Sequence, residues 1–145
     1  MARFLTHDET RARELLATAG VLILSVDDPR HDSVLAEVLG DQTDERGRIV
    51  ADPPADAGAA DEGMGAWHVN AGNEFETVVS GDGVLEFITA EGPVAVLLTA
   101  GDIMAVSRAE HRSLPLTPQE WILRYAGDDL VATETGRESG PWPTV

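Results

Sequence analysis

From Gly63 onward the chain is divided into short apolar runs by turn signals at near-regular spacing, and this constrains its fold more than any other feature. The predicted strands are residues 65–70, 74–80, 84–89, 94–99, 103–106, 111–116 and 120–125. Between them stand Ala71-Gly72-Asn73, Gly81-Asp82-Gly83, Glu91-Gly92-Pro93, Gly101-Asp102 and Thr117-Pro118. Glycine and asparagine accept the positive φ of tight turns, and proline pre-sets φ, so each signal has a mechanism. Many short strands without a helical period predict an all-β barrel or jelly roll.

The residues before Gly63 read differently. Thr6 is a predicted N-cap with Glu9 three residues on, and Gly20 ends the helical segment that follows. Residues 21–26 form an apolar β segment, and residues 32–40 read as a second helix stopped by Gly40. Residues 41–62, with Asp52-Pro53-Pro54 near their middle, have no periodicity and are predicted to be a long acidic connector. The organisation is one domain in three regions. Residues 1–62 form a short helical and βα arm with the connector, 63–133 the barrel, and 134–145 a tail that Trp142 packs against the body.

Composition narrows function. The chain has 145 residues, no cysteine, ten arginines and no lysine, and a net charge of −16. Without cysteine, any metal must be held by nitrogen and oxygen donors. So acidic a surface repels nucleic-acid phosphates and anionic membranes, which argues against both as partners. No apolar run approaches spanning length and the N-terminus has no signal-peptide pattern, so a cytoplasmic protein is expected. The lysine-free composition suggests a bacterial source of high GC content.

The chemistry concentrates around Trp67-His68-Val69-Asn70-Ala71-Gly72-Asn73-Glu74 and His111. His68 and Asn70 are two apart and face the same way on a strand. Gly72 and Asn73 turn the chain, and Glu74 returns on the next strand toward the same interior. With His111 these residues compose a 2-His-1-carboxylate set, with Asn70 as a candidate fourth ligand or an orienter of substrate oxygen. The rival reading is a barrel whose histidines only hydrogen-bond. Glu76 shares parity with Glu74; two inward carboxyls repel, one keeps its proton, and acid–base catalysis becomes available. Arg112 and Arg124 are candidates to grip a substrate carboxylate. Trp67 and Trp121 are expected in the core, and His7 and His31 at the surface.

Gly65, His68-Val69-Asn70, Glu74 and Gly81, followed by Gly101-Asp102-Ile103-Met104-Ala105-Val106 and His111, resemble the two motifs of the cupin superfamily. Within it, the three-residue gap before Glu74, the Gly101-Asp102 strand and His111-Arg112 are most similar to the acireductone dioxygenase family. The likeness covers roughly residues 63–126. It implies a double-stranded β-helix (jelly-roll barrel), a homodimer, and a divalent metal held by His68, Glu74 and His111. Fe(II) is favoured, with Ni(II), Mn(II) or Zn(II) as other candidates. Asn70 stands where the family has its second histidine, and Glu76 where it usually has an arginine facing substrate. The expected function is therefore a small-molecule oxygenase with a different substrate, Asn70, Glu76 and Arg112 being its catalytic candidates. Two alternatives stand beside it. One is a metal-free isomerase, cyclase or lyase using glutamate and histidine, in natural-product biosynthesis. The other is a non-catalytic cup for a small ligand.

Overall fold

The structure, a computed structural model, describes residues 1–56 and 61–145. Eleven strands form among the described residues: β1 (Arg3–Phe4), β2 (Val21–Ser25), β3 (Arg48–Ala51), β4 (His68–Asn70), β5 (Glu74–Ser80), β6 (Gly83–Thr89), β7 (Gly92–Leu98), β8 (Asp102–Val106), β9 (His111–Pro115), β10 (Gln119–Ile122) and β11 (Ala132–Glu134). All pair antiparallel in two sheets, ordered β1-β7-β6-β9-β4-β11 and β2-β8-β5-β10-β3. Helices α1 (Glu9–Thr18) and α2 (His31–Leu39) precede the barrel. The all-β jelly-roll expectation holds.

Alternation along the strands sorts residues between two apolar clusters. Val78, Leu85, Phe87, Val96, Met104, Val106 and Trp121 come from both sheets into one cluster, which Ala12, Leu15 and Leu16 of α1 join. On β5 and β8 the intervening residues Phe75, Ile103 and Ala105 lie in a second cluster with Val34 and Leu39 of α2. Glu74, Glu76 and Val78 thus face the barrel interior while Phe75 faces the helix, as a period of two requires.

Three local expectations are corrected. The N-cap of α1 is Asp8, whose Oδ1 accepts from Arg11 N at 3.0 Å. Thr6 is engaged elsewhere: its Oγ1 accepts from Ala95 N at 3.1 Å and pairs with His7 Nδ1 at 2.8 Å. The connector carries a strand, β3, whose Arg48 to Ala51 pair with Ile122 to Gln119. It is an edge strand lying largely in solvent, so it shows no buried face from which to read a period. Residues 57–60 of the predicted connector lie outside the described set. Finally, His31 is not a free surface residue, because its ring meets Phe75 edge-on at 5.2 Å.

Candidate functional site

Turn geometry brings the site together. β4 and β5 are joined by Ala71-Gly72-Asn73, and the chain crosses there from one sheet to the other. A side chain at Gly72 would place its Cβ 2.6 Å from Ala126 O, so close an approach of backbones is open only to glycine. His68 and Asn70 therefore look inward from one sheet, and Glu74 and Glu76 from the other. His111 on β9 lies opposite His68 on β4. All five side chains are buried and line one cavity of about 180 Å³. The other walls are mostly apolar and include Ile49, Met64, Leu85, Met104, Trp121 and Leu123.

The two imidazoles are held in the same manner. His68 Nδ1 lies 2.7 Å from Ala66 O, and His111 Nδ1 lies 2.8 Å from Ala109 O. A carbonyl can only accept, so each Nδ1 carries a proton, and in the neutral ring the lone pair is then on Nε2. Neither Nε2 has a hydrogen-bond partner among the described residues. The ring centroids are 4.4 Å apart at 58°. Burial lowers the pKa of His111 below 6.5, the nearness of His68 lowers it further, and the Glu74 charge acts against both. His111 is thus kept as the neutral donor.

The carboxyls divide their roles. Asn70 Nδ2 donates to Glu74 Oε2 at 2.8 Å, which turns the Asn70 amide oxygen away from that carboxylate. Glu76 hydrogen-bonds Glu74 as well, and its pKa is raised well above 4.5, first by burial and then by the Glu74 charge. Of the two carboxyls, Glu76 is the one held toward its protonated form.

The donors suit a divalent ion: two imidazole lone pairs with set tautomers, one carboxylate and one amide oxygen. Backbone anchors on Nδ1 are the outer support that metal-ligating histidines ordinarily have. As placed, no group of three or more histidine, aspartate or glutamate side chains among the described residues stands ready to hold a metal. Glu74 is engaged instead with Asn70, from whose Nδ2 it accepts.

Other predicted site residues lie elsewhere. Arg112 follows His111 on β9 and points to the opposite face, away from the cavity. Its Nε and Nη2 donate to Glu86 Oε1 at 2.8 and 2.5 Å, with both side chains buried. Trp67 and Trp142 stack on its guanidinium at 4.9 and 3.9 Å, so the tail does fold onto the body through Trp142. Arg124 Nε donates to Thr43 O at 3.1 Å and does not line the cavity. Trp121 is both core and cavity wall. Ser113, which also lines the cavity, was not anticipated; its parity with His111 on β9 is the signal that places it there.

No protein-family model and no curated protein sequence matches the chain. Among solved structures it is similar to an acireductone dioxygenase from Bacillus anthracis with a cadmium ion in its active centre. The TM-score is 0.54 and the identity 18%, over 86% of this chain and 90% of that one. A mutant of Bacillus subtilis oxalate decarboxylase aligns at a TM-score of 0.49 and 13% identity, over 80% of this chain and 28% of that one. The first likeness establishes the architecture: the chain has the cupin fold. No helix among the described residues is long and apolar enough to cross a membrane.

Proposed function

We propose that this cupin-fold chain is a divalent-metal-dependent enzyme, of the Fe(II) oxygenase type, acting on a small organic molecule inside the barrel. His68, His111 and Glu74 hold the metal, and Asn70 offers a fourth oxygen. One observation carries this reading: the matched Nδ1 anchors on Ala66 and Ala109, which leave two Nε2 lone pairs on one cavity. A structure of the same fold with cadmium in its active centre supports it. When bound, the metal would supply Lewis-acid and one-electron chemistry at substrate oxygens. The chain's own residues do the rest. Asn70 holds Glu74 and presents its amide oxygen, Glu76 keeps a proton on its carboxyl beside Glu74, and the apolar walls exclude water.

A second reading has an observation of its own. The buried Glu76, its carboxyl held toward the protonated form beside Glu74, offers acid–base chemistry without metal, and no metal-ready trio is gathered among the described residues. Elemental analysis of protein purified without chelator separates the two. Bound Fe, Mn, Ni or Zn near one atom per chain, lost in His68→Ala and His111→Ala, supports the first. A metal-free protein that ignores all four added ions leaves the second.

A further inference from the structure

The cavity does not end at its polar residues. Met64 and Ser113 also line an outer cavity of about 390 Å³, together with Asp52, Glu62 and Pro115. The two spaces adjoin across these side chains, and Met64 is 44% exposed. Two features of this passage serve no role described above. Ser113 Oγ is buried with no hydrogen-bond partner. Neither space is lined by any arginine, and the chain has no lysine, whereas Glu74 and Glu76 line the inner space and Asp52 and Glu62 the outer one.

From these we infer that the substrate is an uncharged molecule: an apolar body of about one ring with a hydroxyl or carbonyl group that Ser113 binds. It is admitted past Met64, and its remaining part lies in the outer cavity. The inference rests on the proposed function for the chemistry at the inner end. An orphaned buried hydroxyl is unfavourable unless something pairs with it, and a turn about χ1 would bring that of Ser113 to the wall its residue shares between the two cavities, where a ligand can do so. An inner space of about 180 Å³ is little larger than the roughly 150 Å³ cavity that accepts benzene. An anion would meet Asp52 and Glu62 on entry, and neither space offers it an arginine or a lysine. A cation would have to share the Glu74 carboxylate, which already accepts from Asn70.

The test is calorimetric titration of the full chain at neutral pH, as purified and after chelation, with 4-propylphenol, 4-propylbenzoate and 4-propylbenzylamine. The phenol should bind about tenfold more tightly than either charged probe in both preparations. Ser113→Ala should weaken it about fivefold while the melting temperature holds or rises, since only an unpaired hydroxyl is removed. Asp52→Asn with Glu62→Gln should strengthen the benzoate and leave the phenol unchanged. Equal or tighter binding of either charged probe, or an unaltered phenol affinity in Ser113→Ala, overturns the inference. Because the chelated protein is measured too, a preference for phenol without any metal binding would sink the metal reading alone. Metal binding without that preference would sink this inference alone.

Discussion

At the residue scale, the site is a division of labour among groups that sequence parity already separates. His68 and Asn70 on one strand, and Glu74 and Glu76 on the next, are legible from a period of two and the Gly72-Asn73 turn. The same period places Arg112 and His111 on opposite faces, and a reading of Arg112 as a substrate grip neglects it. Its partner Glu86 is distant in sequence, so the buried pair itself is not legible. Asn70 gives the first prediction. In Asn70→His an imidazole replaces an amide oxygen, so metal affinity should rise by about tenfold or more by calorimetry. Unchanged affinity would place Asn70 outside the site. Glu76 gives the second. Its pKa is raised in the fold above 4.5, so its contribution to stability is full below 4.5 and is lost as pH rises through the folded value. His111 has the opposite sign: its folded pKa is below 6.5, so its contribution is full above 6.5 and is lost as pH falls. Denaturant melts of chelated Glu76→Gln should therefore show a flatter decline on the alkaline side and an unchanged one on the acid side. A wild-type slope retained in the variant would show that Glu76 is not the titrating group.

At the scale of elements, apolar strands bounded by turn signals are legible, and very short or edge strands are not. β6 and β7 begin at Gly83 and Gly92, and β5 and β8 end and begin beside Gly81 and Gly101. β1 and β11 are two and three residues long, and β3 lies at an edge, so none carries a readable pattern. Two turn glycines share a left-handed backbone and differ in surroundings. Gly81 has φ +79°, and a Cβ there would sit 2.1 Å from Pro118 O; Gly92 has φ +84° and nothing within 4 Å. Gly92→Ala should cost only the left-handed strain, about 1–2 kcal/mol. Gly81→Ala should cost distinctly more, because it must also push the Pro118 backbone away from β10. Urea midpoints of the two variants measure the difference. Equal losses would mean that the turn between β5 and β6 is not braced against Pro118.

At the scale of the whole molecule, the charge of −16 and the cavity have to be taken together. A net charge so far from zero works against the compact state through self-repulsion, and added salt screens it. The melting temperature should rise between low salt and a few hundred millimolar sodium chloride; a fall would mean that attractive pairs such as Arg137–Glu110 outweigh the repulsion. Sequence pattern makes the two-sheet architecture legible, because alternation and turns repeat along nearly half of the chain. The path of the tail is not legible, since it depends on Trp142 meeting Arg112 across the fold. The central claim remains that this barrel binds one divalent ion through His68, His111 and Glu74. Titration of chelated protein with Mn(II), followed by calorimetry, tests it most directly. The account predicts a single site per chain, with affinity lowered by about 10- to 100-fold or more in Glu74→Ala, which removes the anionic ligand. No binding to the wild type, or equal binding to wild type and Glu74→Ala, would contradict it.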